Sequence, residues 1–198
     1  MKLYHGSIIG DIKVLEPRQA DHDRPYVYMT TIDVVAAFYL CNAVERPYYW
    51  FPYGFDKNSD IPIYHELYPD ALKQVSEGIS GYIYEVEAED SQVIPFKNIP
   101  CARLAAKPIE VVQCTRIENA YEQFLEYIRQ GKMRLGRFED KTEQQLNWWY
   151  SRLVDYLIEK DIVKDPDCSY AVFVRDKFPQ VWEKYLMILQ GEKGNVDN

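Results

Sequence analysis

The chain has 198 residues, enough for one substantial domain or a domain with an appendage, and its 47% hydrophobic and 27% charged residues are the balance of a folded chain rather than a disordered one. Its 31 acidic and 23 basic residues give a formal net charge of −8, which excludes a general attraction to phosphate backbones or anionic lipid, and with it nonspecific nucleic-acid binding. The first residues lack the pattern of a secretory leader and no apolar run approaches the roughly 18 residues of a membrane span, so a cytoplasmic protein without membrane attachment is the expectation.

In chain order, Met1–Tyr4 is a short strand ended by His5-Gly6-Ser7. A polar loop, Asp21–Pro25, precedes a second apolar strand, Tyr26–Met29. Thr30 or Thr31 then serves as N-cap of a helix over Ile32–Ala43, with Asp33 in the first turn and Val35, Phe38 and Tyr39 on one face. The segment Arg46–Phe55 is dense in aromatics but broken by Pro47, Pro52 and Gly54, which predicts an ordered loop. Alternation around Tyr82, Tyr84 and Val86 predicts the best strand of the chain over Ser80–Glu89, and Ile109–Ile117 follows Pro108 as another.

Beyond residue 117 the period changes. Tyr121, Phe124, Leu125 and Ile128 have helical spacing, as do Leu146, Trp149, Leu153, Tyr156 and Leu157. Tyr170–Val174 reads as a strand and Pro179–Gln190 as a third helix stopped by Gly191. The expectation is an α+β chain, with a strand-rich domain over residues 1–117 and a helical extension over 118–198 packed on it. The four cysteines are far apart in sequence, so neither a zinc site nor a disulfide framework is expected, and reduced structural thiols are.

The residue types suggest one chemistry. Breaking the bond between nicotinamide and ribose passes through an oxocarbenium-like state, so an enzyme must hold a flat ring, fix the ribose and set negative charge beside the developing cation. Aromatic rings serve the first need, backbone groups beside a glycine the carboxamide, and a histidine with a carboxylate the ribose. The chain offers Tyr4-His5-Gly6-Ser7 at one strand end, Tyr28-Met29-Thr30-Thr31 at another, and Tyr39 eleven residues after Tyr28.

These segments, YHGS and VYMTTIDVVAAFY, resemble the His and Tyr motifs of the ADP-ribosyltransferase superfamily, with a spacing similar to the poly-ADP-ribose polymerase and diphtheria-toxin branch. V-Y-x-T followed by A-A also resembles the rifamycin ADP-ribosyltransferases. The resemblance implies an ADP-ribosyltransferase-like split β-sandwich that takes NAD as substrate and passes ADP-ribose to an acceptor, a protein or small molecule, with no metal. It implies that His5 binds the adenosine ribose, Gly6 the carboxamide, and Tyr28 and Tyr39 the two faces of the nicotinamide ring. Ser7 and Thr30 belong to the same cofactor-binding set, and Arg18 or Arg24, in the segment that covers the donor, would pair with the pyrophosphate.

Gly81–Glu87 looks like the family's central strand and Lys107–Val112 like the strand carrying the catalytic glutamate, which makes Glu110 the candidate acid, acting with His5 and Tyr39. The rifamycin-type pattern points instead to Asp90, and Glu87 is a third possibility within the formal E-x-E of Glu85-Val86-Glu87. Ala36 stands where the polymerases usually carry a carboxamide-binding serine, a loss of one hydrogen bond worth about 0.5–1.5 kcal/mol. Alternatives are a module that binds NAD or ADP-ribose without cleaving it, and a protein-interaction domain. An RNA 2′-phosphotransferase is disfavoured because its basic residues have no counterparts at matching positions. His22 and His65 lack a partner pattern and read as structural, and Trp148, Trp149, Trp182 and Tyr185 read as packing faces.

Overall fold

A computed structural model describes residues 1–19, 24–41, 53–55, 59–96 and 99–194. It is a mixed α+β structure whose recorded strand pairs are all antiparallel. The elements are β1 (Lys2–Ser7), β2 (Val14–Leu15), β3 (Val27–Thr30), α1 (Asp33–Phe38), β4 (Tyr53–Phe55), β5 (Pro62–His65), α2 (Ala71–Ser76), β6 (Gly81–Glu87), β7 (Ile94–Pro95), β8 (Ala102–Ala105), β9 (Ile109–Ile117), α3 (Ala120–Arg129), β10 (Arg134–Gly136), α4 (Glu143–Glu159), α5 (Ser169–Lys177) and α6 (Pro179–Gly194). Seven strands form one sheet in the order β2-β9-β6-β1-β3-β8-β7, and β10-β5-β4 form a smaller one.

The described residues of Met1–Ala43, Tyr53–Tyr64 and Leu72–Leu135 form one compact unit, and those of His65–Ala71 and Gly136–Asn198 the other. The division differs from a boundary at residue 117 because α3 goes with the sheet. Ala120, Phe124 and Tyr127, at i, i+4 and i+7, are its buried face, and the Phe124 ring lies 5.0 Å from that of Phe38 on α1. Asn119 caps the helix by accepting from the Tyr121 amide.

Strand β1 runs through His5-Gly6-Ser7 rather than stopping before it, because β6 supplies a partner at every position from Lys2↔Glu87 to Ser7↔Tyr82. Alternation turns Leu3 into a core with Leu15, Val27, Met29, Tyr84 and Val86. Gly6 turns to the other face, where a β-carbon would stand 2.0 Å from the Ala36 carbonyl oxygen. On β6, Gly81 is enclosed likewise, its absent β-carbon 2.9 Å from the Leu40 side chain and from the Ser7 carbonyl oxygen. Glycine at these two positions lets α1 and the turn after it lie against the sheet.

Helix α1 is shorter than Ile32–Ala43. Its N-cap is Ile32, whose amide is accepted by Thr30 Oγ1, while Asp33 Oδ1 accepts from the Val34 amide. Every residue from Val34 to Phe38 is buried, and Tyr39, in the closing turn, is 54% exposed. Tyr39 therefore does not share the buried face of Val35 and Phe38: a helix enclosed on all sides has no single apolar stripe, and the chain turns outward where it ends.

Two other expectations are corrected. Tyr170–Val174 lies inside α5 and not in a strand, a short apolar run being ambiguous in period until its neighbours are counted; Cys168 caps the helix through Sγ. Of the predicted loop Arg46–Phe55 only Tyr53–Phe55 is described, and it forms β4, paired with β5 from Tyr53↔Tyr64 to Phe55↔Pro62. The rest of that loop, and residues 21–23 of the polar loop, lie outside the described residues. In the second unit Phe178 meets the rings of Tyr68, Tyr150 and Phe173 at 5.6–5.8 Å, and the Tyr185 hydroxyl accepts from the Val163 amide. Trp148, expected in a packing face, is 58% exposed, whereas Tyr185 is fully buried.

Gly6→Ala tests the packing of α1 on β1. With backbone rather than a flexible side chain in the way, the variant should lose about 1–3 kcal/mol, the usual cost of overpacking a tight site, measured as a fall in the urea midpoint at unchanged m-value.

Candidate functional site

His5 lies in mid-strand on β1, opposite Tyr84 of β6. Its Nδ1 is 2.8 Å from the Tyr28 carbonyl oxygen on β3. A carbonyl only accepts, so Nδ1 carries the proton and the neutral ring offers Nε2 as an acceptor. Burial pushes the imidazole pKa down, the bond to the Tyr28 carbonyl pushes it up, and the Arg18 charge lowers it, with a net shift below the ordinary value. The ring is a neutral acceptor at pH 7, the form that takes a hydroxyl proton.

Strands β1 and β3 are in recorded register at Tyr4↔Thr30 alone, whereas β1 and β6 pair along the full length of β1. Where the ladder to β3 stops, the His5 ring provides the link to Tyr28. Gly6, the next residue, has its α-carbon beneath the Ala36 carbonyl. The structure thus joins the two sequence motifs through one side-chain bond and one backbone approach.

The remaining residues of the set are distributed around this point. Tyr28 is half-buried in β3, between the core residues Val27 and Met29, and so faces away from that core. Thr30 is buried, and its Oγ1 accepts from the amide of Ile32, the N-cap residue, without capping the helix itself. Ser7 Oγ accepts from the Ile9 amide at 3.1 Å and shapes the turn that leaves β1. Arg18 is exposed, held by a backbone bridge to Tyr26, and is the charge acting on His5. Arg24 Nε donates to the Tyr26 hydroxyl at 2.7 Å, with its guanidinium over the same ring. Tyr39 ends α1 on the face of β1 to which Gly6 turns, and alternation points His5 to the opposite face.

The carboxylates are not gathered at His5. Glu110 is exposed on β9, paired with Val14 of β2, and β6 lies between β9 and β1. Two strand spacings put its backbone about 10 Å to the side of β1. Its displacement along the strands, from Cys114 opposite Tyr84, adds a further separation. Glu87 is exposed at the end of β6, and Asp90 opens a 3-10 turn closed by a reciprocal Glu89–Gln92 capping box. Glu85, beside Tyr4, is bonded to Lys2 at 2.7 Å on the strand neighbouring β1.

No family model, curated protein or solved structure matches this chain.

Among the described residues no group of three or more His, Cys, Asp or Glu side chains is placed to hold a metal ion, and no helix is long and apolar enough to cross a membrane. His22 lies outside the described residues. His65, in the second unit, has its ring 6.2 Å from that of Trp149, with its pKa lowered by burial and then by Lys141. Lys141 Nζ in turn donates to the Gly136 carbonyl at 2.9 Å, a loop clamp that agrees with a structural histidine. Sequence reasoning assigned no role to Tyr84, whose buried hydroxyl bonds to the segment leaving the His5 motif. Its signal was present in the strand alternation, which aligned it with core positions but could not reveal what its hydroxyl meets.

The His5 shift has a stability consequence. The unfolded ring titrates near 6.5 and the folded ring lower, so between these values the unfolded chain binds more protons and folding stability falls as the pH drops. His65 is shifted in the same direction and contributes to the same window. Urea unfolding from pH 7.5 to 4.5 should therefore show a loss of stability beginning near about pH 6.5, and His5→Gln should flatten part of the slope. An unchanged slope in that variant would contradict a buried neutral His5.

Proposed function

We propose that this chain has an ADP-ribosyltransferase-like split β-sandwich, binds NAD where β1 and β3 part, and transfers ADP-ribose to an acceptor with release of nicotinamide. The observation that carries the reading is the His5–Tyr28 bond at the point where the β1–β3 ladder stops. His5 and Tyr39 stand on opposite faces of β1, which counts against the single pocket around His5, Tyr28 and Tyr39 that the motifs lead one to expect. On this reading His5 approaches from one face with Nε2 accepting a ribose hydroxyl, and the exposed Tyr39 ring approaches from the other. Gly6 offers its backbone to the carboxamide, and Arg18 and Arg24 are the cations for the pyrophosphate. Ser7 and Thr30 shape the two strand ends, Tyr28 is a second aromatic ring on the same side of the sheet as Tyr39, and Glu110 is the acid that stabilises the oxocarbenium-like state. The acceptor is a protein or small molecule, in keeping with a net charge of −8 that does not attract nucleic acid.

A second reading is favoured by one observation. Glu110 lies on the far side of β6 from β1, and Glu85 is bonded to Lys2. A pocket with His5 and the tyrosines but no carboxylate beside the ribose is a module that binds NAD or ADP-ribose without cleaving it.

Calorimetry with NAD, together with an assay of nicotinamide release over a panel of acceptors and water, separates the two. His5→Ala and Tyr39→Ala should each weaken NAD binding about tenfold, the loss of one hydrogen bond or stacking contact. Glu110→Gln should lower the release rate by about 10²–10³ with nearly unchanged affinity, because the charge it stabilises appears only in the transition state. Full activity in Glu110→Gln with loss in Asp90→Asn moves the acid to the turn after β6. Binding without release in the unmodified protein selects the module, and no binding of NAD or ADP-ribose overturns both readings.

A further inference from the structure

The second unit holds a cluster of ionisable groups that the proposed NAD site does not use. His65 is half-buried, and the buried Glu66 follows it. At Gly136 a β-carbon would stand 2.9 Å from His65 Nδ1 and 3.3 Å from Lys141 Nζ, so both nitrogens lie within 3.3 Å of one point, and a residue without a side chain leaves them room. Lys141 Nζ donates to the Gly136 carbonyl at 2.9 Å and to that of Arg137 at 3.3 Å. The Gly136 carbonyl also accepts from the Glu66 amide at 2.9 Å, which fills its capacity for donors. One ammonium thus ties the turn over residues 137–141 back to the chain at Gly136, and within the turn the Lys141 amide donates to the Phe138 carbonyl at 3.1 Å. The turn leads into α4 at Thr142, whose capping box with Gln145 starts the helix, and further along α4 the Trp149 ring lies 6.2 Å from that of His65.

We propose that His65 and Lys141 form a pH-sensitive latch on this turn: once the imidazole is charged, the ammonium beside it leaves the Gly136 and Arg137 carbonyls, and residues 137–141 come loose. The neutral ring sets no charge beside the ammonium, whereas the imidazolium carries a proton on both nitrogens and a full positive charge. Both side chains are partly buried, so water screens the two cations less than it would at an open surface. Burial and then the Lys141 charge hold the imidazole below the ordinary histidine value, which keeps the latch closed at pH 7 and opens it on acidification. Lys141 is the partner that gives way, because His65 is fixed by the strand it ends while a lysine stem swings its charge out to water. Burial also lowers the Lys141 pKa, and Glu66, Asp140 and Glu139 raise it, so the ammonium persists throughout the range in which His65 titrates. From α4 the ring meets Trp149, which adds no charge. The latch belongs to the second unit and holds whether or not the chain binds NAD.

The test uses the full chain from pH 7.5 to 4.5, read by NMR titration of the His65 ring and by hydrogen exchange at the Lys141 amide, expressed as a protection factor. Protection at Lys141 should fall about tenfold, as for one hydrogen bond lost, and its midpoint should coincide with that of the His65 titration. In His65→Gln protection should stay level over the same range, whereas His5→Gln should leave the loss in place, which separates the latch from the histidine of the first unit. In Lys141→Met the His65 titration should move up towards the ordinary value and the amide of residue 141 should be weakly protected at every pH, so the test stays open should His65→Gln fold poorly. Protection at Lys141 that persists through the His65 titration, a loss that survives in a folded His65→Gln, or a His65 titration unmoved in Lys141→Met overturns the proposal.

Discussion

The approach of the α1 backbone to β1 at Gly6 is the constraint on which the sheet-bearing unit turns. A β-carbon there would overlap the Ala36 carbonyl oxygen at 2.0 Å, so the helix can lie on the strand only because residue 6 has no side chain. With α1 seated, Phe38 reaches Phe124 on α3 and Tyr64 on β5, which draws helix and strand into the same unit. The same placement ends α1 at Tyr39 and brings that ring to the surface near the strand that carries His5. One glycine therefore governs how the helix packs on the sheet of this unit.

The histidine is controlled from the other face of the sheet. Burial disfavours its charged form, and the Arg18 charge opposes protonation further. The Tyr28 carbonyl works against both by favouring a proton on Nδ1, and the balance is a neutral ring with a fixed tautomer. Such a ring holds a hydroxyl well and delivers no proton of its own at pH 7. Glu85, on the strand beside β1, is bonded to Lys2.

Much of the architecture was legible in residue order. The alternation of Tyr82, Tyr84 and Val86 marked β6, the run after Pro108 marked β9, and the helical spacing of Tyr121, Phe124, Leu125 and Ile128 marked α3, although the face it buries is Ala120, Phe124 and Tyr127. Strands as short as β2 and β7 leave no period to detect, since two residues cannot alternate. The extent of β1 was hidden for another reason: His, Gly and Ser read as a strand end by type, and only the partner supplied by β6 makes them strand. Tyr39 was misplaced because the spacing from Phe38 continues a helix that the chain leaves at that residue.

The sequence by itself determined the α+β class and the positions of most of the long elements, because period and residue type act over a few neighbours along the chain. It also determined the charge balance, a formal net charge of −8. Only the tertiary structure decided that His5 bonds the Tyr28 carbonyl, that Ala36 rests on Gly6, that the Tyr84 hydroxyl bonds Ile9 and Ile12, and that Glu110 lies two strands from β1. Each of these depends on strand order and register, which are set by the packing of residues distant in sequence and leave no local trace in their order.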